Sequence, residues 1–339
     1  MYYVGCDLHK ESTWFYIMNE SGKRITSESI LNHPDELHKF FSKIPKPFIL
    51  AVEATYNWYF FIDIAEQYAE EAYLANSYEL KAFAKRHKKT DKIDSRLIAD
   101  VLRKGYLPAV YIPDKEARTM KELLNYRMKI VQDRSRNIFR LKSLLDRWGF
   151  DSGGNYTTYK ALRSIKLGDL KEDIEEIAQG YITRIASLTE KEYESTKAIR
   201  EKVQQNNDIL NLITIPGLDY FSAALIKTEI ADIGRFKSFP RLCAYAGLAP
   251  RVYQSANKSI HGSLNVNRKK NLQWILLEVV YHFIKANPKY KKKHESITKR
   301  KGYNTAKVAL ARDMLKVIYH ILKEKRPYYK NAKVRSRAA

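Results

Sequence analysis

The sequence predicts an α/β layer followed by a helical remainder, an α/β plus all-α chain. Three observations carry this. Residues 1–112 alternate short apolar strand signals with helical ones, which is the pattern of a mixed layer fold. Residues 114–206 hold two long helical stretches around a Gly-containing break. The last third, from Ile209, reads as shorter helices joined by Pro-Gly and polar segments. The predicted division is 1–113, 114–206 and 207–330, with a basic, disordered tail at 331–339.

In the first part, "YYVGCDL", "WFYIMN" and "RITSESI" read as short strands, with "ESGK" as a turn. "HPDELHKFFSKI" is helical, with Pro34 early and apolar residues at helical spacing. "PFILAVEAT" is a near-continuous apolar strand, suited to the middle of a sheet covered on both faces. A helix from Trp58 to Tyr68, a strand "EAYLAN" and a helix "YELKAFAKRHKK" follow. In the second part, Leu124, Val131, Ile138 and Leu145 fall seven apart, as do Ile174, Tyr181 and Leu188. This suits an antiparallel arm, a dimerising coiled coil, or a bundle packed on its own domain. In the third, "LITIPGLDYFSAALIKTEIADIGRF" is helix, Pro-Gly turn, helix. "NLQWILLEVVYHFIKAN" and "NTAKVALARDMLKVIYHILKEK" close the domain.

Of 339 residues, 61 are Lys or Arg and 38 Asp or Glu, a formal net charge of +23. Such an excess on a chain that is 45% hydrophobic points to a polyanionic partner, most often nucleic acid. The excess is uneven: Lys285 to Lys330 carries fifteen basic and three acidic residues, a net of +12. Two cysteines, Cys6 and Cys243, exclude a disulfide framework or a Cys-based zinc site and read as reduced, buried thiols. The N-terminus lacks the basic and apolar regions of a signal peptide, and the most apolar window, "LQWILLEVVYHFI", is too short and polar to span a membrane. A soluble, cytoplasmic protein is expected.

Four acids stand out. Asp7 and Glu53 end apolar strands, where α/β sheets place ligands. Asp91 and Asp94, three apart in "KRHKKTDKIDSRLIAD", fall on one helical face. Hard oxygen ligands in that number suit Mg²⁺ or Mn²⁺, and two such ions can clamp the attacking and leaving oxygens of a phosphodiester displacement. Lys88, Lys89 and Lys92 would neutralise the backbone being cut. The alternative is a solvated helix face with weak ion pairs.

Two further segments have two readings each. "ITIPGLDYFSAALI" is either a helix-hairpin-helix, whose turn amides hold a phosphate, or a packing turn at Gly217. "VYQSANKSIHGSLN" holds Ser255, Ser259 and Ser263 amid Arg251, Lys258 and His261. A serine beside such cations is a candidate nucleophile, and the same stretch also reads as an ordinary polar loop.

Together these stretches resemble the DEDD-type transposases of bacterial and archaeal insertion sequences (the insertion sequence one-ten family), relatives of the Piv DNA invertase. "VGCDLHKES" resembles the family's opening strand and "AVEAT" its glutamate strand. "KTDKIDSRLIAD" is similar to its Thr-Asp-x-x-Asp-Ala helix, with Ser95 in place of Ala. "IPGLDYFSAALIKTEIADIGRFKSFPRLCAYAGLAPR" and "TAKVALARDMLKVIY" are similar to its C-terminal domain. The resemblance covers nearly the whole chain. It implies a RuvC-like (ribonuclease-H-type) N-terminal domain, a helical coiled-coil arm and a helical C-terminal transposase domain with a nucleophilic serine.

In that domain "QSANK" occupies the family's Ser-Gly-x-Lys position, so the resemblance makes Ser255 the nucleophile and Lys258 the matching lysine. With Arg251 and Arg268 these form the candidate nucleic-acid contacts of the C-terminal part. Ala256 replaces the usual Gly, Val266 and Arg268 stand where a Lys and a Gly are common, and Gln273 stands for an Arg, while Leu272 keeps its place. The resemblance further implies a phosphoserine link to DNA, Mg²⁺ (or Mn²⁺) at the acids, and donor and target DNA as substrates. It also implies a structured guide RNA and a homo-oligomer, dimer or tetramer. The other readings are a Holliday-junction-type nuclease using the four acids and water, and an inactive nucleic-acid-binding relic.

Overall fold

A computed structural model of the chain describes residues 1–83, 90–150, 153–154, 156–165, 167–168, 170–255, 258–264 and 268–328, with residues 251–255 and 258–264 described as backbone. It divides into two compact units, Met1–Pro113 and Asp114–Ala339.

The first unit is a six-stranded sheet with helices on both faces. In chain order it contains β1 (Tyr2–Leu8), β2 (Ser12–Asn19), β3 (Arg24–Leu31), α1 (Pro34–Phe41), β4 (Phe48–Glu53), α2 (Trp58–Ala65), β5 (Glu71–Ala75), α3 (Ser77–Leu80), α4 (Asp91–Arg103) and β6 (Ala109–Val110). The strand order is β3-β2-β1-β4-β5-β6. β1 pairs antiparallel with β2 and parallel with β4, and β4 pairs parallel with β5. The continuous apolar run of β4 therefore lies inside the sheet.

Alternation along the strands sorts the residues. Val4, Cys6 and Leu8 of β1 and Phe48, Leu50 and Val52 of β4 join Leu37, Phe41, Phe61 and Ile62 of α1 and α2 in one core. The opposite face, with Ala51 and Tyr3, meets Ile98, Ala99 and Leu102 of α4. Of the helix expected over 78–89, the chain to Leu80 forms the single turn α3 and 81–83 continue as a turn, while 84–89 lie outside the described residues.

The second unit begins with α5 (Lys115–Arg147), α6 (Tyr159–Arg163) and α7 (Glu172–Val203). Asp114 caps α5 by accepting from Ala117 N at 2.7 Å. Leu141, Leu144 and Leu145 of α5 cluster with Ala178 and Ile185 of α7, while Leu124 and Met128 join Ile199 and Val203 in a second core. The two long helices are thus antiparallel and pair within one chain. Next come α8 (Asn207–Leu212), α9 (Tyr220–Ile230), α10 (Phe239–Tyr245), β7 (Pro250–Ser255), β8 (Lys258–Leu264), α11 (Lys270–Ala286), α12 (Pro288–Lys301) and α13 (Tyr303–Glu324). α9, α11 and α13 form the main core.

The serine segment, expected as a polar loop, is an antiparallel hairpin of β7 and β8, and His261 lies in β8 opposite Val252. Two β-compatible runs around a two-residue connection explain this. Among the described residues, no helix is long and apolar enough to cross a membrane, and Cys6 and Cys243 are free, buried thiols.

Candidate active site

Three residues of β1 share the face that α4 covers: Tyr3, Gly5 and Asp7. Gly5 fixes how close the helix comes. A Cβ there would lie 2.1 Å from the Ser95 carbonyl oxygen and 2.4 Å from the Ala99 nitrogen, so only glycine lets the backbone of α4 rest on the strand. Ser95 is fully buried, and its hydroxyl donates to the Lys92 carbonyl at 3.2 Å. The small residues Ser95 and Ala99 form the contact strip, and this brings the first turn of α4 over the end of β1.

That turn is built to carry acids. Thr90 caps it, its hydroxyl accepting from Ile93 N at 3.3 Å, and Asp91 and Asp94 stand within it. The free amides and macrodipole at a helix N-terminus favour carboxylates there. Glu53 ends β4 one step beyond the Cys6–Val52 pair, on the same alternation as Ala51, and is half-buried. Asp7 is only 5% exposed. Burial pushes its carboxyl up to about 6; His9 opposes this, and the negative charges of Glu53, Asp91 and Asp94 add to it. The other three acids predicted from the sequence therefore all act on Asp7.

A fifth side chain belongs with them. His9 Nε2 lies 3.2 Å from Asp7 Oδ2 and 3.4 Å from Asp91 Oδ1. Its own carbonyl accepts from the side-chain amides of Asn57 at 2.8 Å and Asn32 at 2.9 Å, which pin the strand end. Sequence reasoning passed over His9, although its position two residues after Asp7 in an extended strand puts both on one side. One ligand atom from each of Asp7, His9 and Asp91 lies within 4.8 Å of the others. Carboxylate oxygens with one imidazole nitrogen fit a divalent cation such as Mg²⁺ or Mn²⁺. The acid crowding that raises Asp7 is what such a cation would relieve.

The basic candidates fall differently. Lys92 is exposed beside Asp91, and Lys88 and Lys89 lie outside the described residues. In the second unit, Ser255 ends β7 and pairs with Lys258, the first residue of β8, across a two-residue connection. Arg251 is in β7. The side chains of Arg251, Ser255 and Lys258, and Ala256 and Val266 altogether, lie outside what is described.

Arg268 is half-buried. Its Nε donates to Gln273 Oε1 at 2.5 Å, and Gln273 Nε2 donates to the Gly247 carbonyl at 2.7 Å. Its stem covers Gly247, where a Cβ would meet Arg268 Cδ at 2.3 Å. The two departures at 268 and 273 are thus partners.

At the Pro-Gly turn, Gly217 has φ +96° and a Cβ there would lie 2.6 Å from His282 Cβ of α11. Asp219 caps α9, accepting from Ser222 N at 2.8 Å. The turn packs on α11, and a carboxylate already occupies the N-terminus of α9.

A buried carboxylate with three more acids acting on it, on a chain of net charge +23, suits chemistry on a nucleic-acid backbone, and the comparisons with known proteins give the class: an enzyme of the DNA transposase and recombinase type. Residues 4–149 match the DEDD transposase model of the IS110 type, and residues 210–295 match that of the IS116/IS110/IS902 transposase family. The chain belongs to this IS110 family of insertion-sequence transposases.

It is 23% identical over 267 residues to the transposase for insertion sequence element IS1111A of Coxiella burnetii, covering 75% of this chain and 72% of that protein. It is 22% identical over 279 residues to the IS1328 transposase of Yersinia enterocolitica, covering 81% of each. A pilin gene-inverting protein of Moraxella bovis is 30% identical over 150 residues, 42% of this chain and 46% of that protein.

Proposed function

We propose that the protein cuts and rejoins DNA through Ser255, assisted by a divalent-metal centre at Asp7, Glu53, Asp91 and Asp94, on a first unit of the RuvC-like, ribonuclease-H type. The observation that carries this reading is the convergence of the acids on Asp7, whose carboxyl is pushed to about 6. When bound there, Mg²⁺ or Mn²⁺ would supply Lewis-acid stabilisation of charge on the phosphate oxygens. Glu53 and Asp7 would hold it from neighbouring strands, and Asp91 and Asp94 from the turn that Gly5 lets approach. His9, bridging Asp7 and Asp91, would add a nitrogen ligand or orient those two carboxylates.

In the second unit, Ser255 Oγ would attack the phosphorus. A Ser255 Oγ–P bond forms, the serine proton passes to a base, and the P–O bond to the leaving strand breaks, its oxygen taking up a proton. Attack by a second DNA hydroxyl would reverse these steps and free the serine. The register that sets Ser255 opposite Lys258 at the hairpin end supports a cation beside the nucleophile. The partners are donor and target DNA, a structured guide RNA, and further copies of the chain in a dimer or tetramer.

A second reading has its own support. The acid cluster is complete within the first unit, as a junction-resolving nuclease using water would require. Adduct trapping separates the two. Protein, Mg²⁺, RNA transcribed from the DNA flanking its gene and labelled donor and target DNA are incubated and run on a denaturing gel. A covalent complex present for the wild type and absent for Ser255→Ala is expected. Metal-dependent cleavage without an adduct would instead establish the nuclease.

A further inference from the structure

We propose that the solvent-facing side of α12, with the groove between α12 and α13, is a docking surface for the phosphodiester backbone of DNA. No residue of α12 is buried. Tyr290 and Ile297 rest on the main core and anchor the helix, leaving most of its circumference to solvent.

That circumference is of one sign. Fourteen residues carry seven cations and one acid, Glu295. Lys293 pairs with Asp313 at 2.6 Å. The other six, Lys289, Lys291, Lys292, Lys299, Arg300 and Lys301, make no ion pair among the described residues. Ordinary solvation does not need this: the long helix α7 mixes eight acids with five cations. Like charges three and four apart weaken a helix. Lysines in the first turns also oppose its dipole, whose positive end lies there. A polyanion laid along α12 removes both penalties at once, and the anion is then favoured by the same dipole.

The groove beside it has the matching shape. About 450 Å³ lies between α12, α13 and the segment after α13, with Lys289, Lys316 and Arg326 at its edge and Tyr290 and Tyr328 on its sides. This is ample for a phosphate with its sugar, and the tyrosines offer apolar surface to the sugar. DNA is the occupant because the relatives are insertion-sequence transposases and a gene-inverting protein; RNA shares the backbone chemistry and is an outcome of the test.

The test is fluorescence anisotropy of the full-length protein with labelled duplex DNA, single-stranded DNA and RNA, in EDTA, over a potassium chloride series. EDTA keeps the result independent of any metal at the acid cluster. The variants are Lys291→Gln/Lys292→Gln on α12 and, as a charge-matched control, Lys191→Gln/Lys197→Gln on α7. All four lysines are exposed, so both proteins should fold, which circular dichroism checks.

The α12 variant should lower the slope of log affinity against log salt by about 2 for a duplex, or about 1.4 for a single strand, with affinity falling tenfold or more. The control should leave the slope unchanged. An effect on DNA is expected, and one confined to RNA would overturn DNA as the occupant of α12. Equal slopes for both variants and the wild type, or equal losses from both variants, would overturn the proposal.

Discussion

Two carboxylates removed from water, Asp7 and Glu192, make the most instructive comparison in the molecule. Glu192 of α7 is 17% exposed and faces Arg127 Nη2 at 2.9 Å and the guanidinium of Arg134, both from α5. Arg127 is held further by Thr196 at 2.9 Å and by the face of Phe221, 4.0 Å from its ring centre. Asp7 has one half-exposed histidine and three other acids around it. Glu192 arrives with its cations already supplied by the sequence, so its role is to fix the pairing of two helices. Asp7 has no arginine or lysine beside it among the described residues, and in the proposed function a divalent cation supplies the opposing charge. Buried acids with arginines report architecture, whereas buried acids with acids report a site.

The sharpest break of the comparison is to neutralise each acid. Asp7→Asn should lower metal-dependent DNA cleavage by about 10³-fold, some 4 kcal/mol of barrier. The same change should raise the melting temperature of the metal-free protein at pH 7.5, because an amide needs no ionisation. Cleavage assays and thermal melts read the two effects. A fall in both would make Asp7 structural like Glu192.

Glu192→Ala should do the reverse. It leaves two half-buried guanidinium groups without their acid and should cost about 1–3 kcal/mol in urea unfolding. Metal affinity at the acid cluster should stay unchanged.

Gly5→Ala tests the frame that holds the acids. The added methyl meets helix backbone, not a movable side chain, so α4 must shift. A cost of about 1–3 kcal/mol is expected by chemical denaturation, with weakened metal binding as Asp91 and Asp94 move.

The smallest effect is on stability against pH. The folded carboxyl of Asp7 titrates near 6, above its unfolded value, so the folded state binds more protons between the two. In EDTA the contribution from Asp7 should be most favourable below pH 4, decline as pH rises toward 6 and level off above it. A wild-type-minus-Asp7→Asn melting difference that is flat across that range would contradict it.

Much of this was legible in the sequence, and what was not has physical causes. The strands β1, β2, β4 and β5 announced themselves by apolar runs, and Asp91 and Asp94 by spacing on a helix that Thr90 caps. The seam between the long helices was only half readable. Leu124 and Leu145 are buried as the heptad predicts, and Ile138, Ile174 and Tyr181 pack half-buried against the inter-helix core, while Ala178, Ile185 and Ile199 take the fully buried line on α7. A line through Ala178, Ile185 and Ile199 passes through Glu192, and a charge at a seam position hides it from a hydrophobic count. His9 was missed because one of its two partners, Asp91, comes from helix α4, far along the chain. The serine hairpin was missed because its alternation is polar, and Arg268 because its contact with Gln273 and Gly247 depends on how the chain turns before α11.

The most direct test of the central claim is a calorimetric titration of Mn²⁺ into the nucleic-acid-free protein and into Asp7→Asn. Saturable binding to the wild type, with proton release at pH 6 and loss of at least tenfold in affinity in the variant, is predicted. No saturable binding, or equal binding by both proteins, would contradict a metal centre at Asp7.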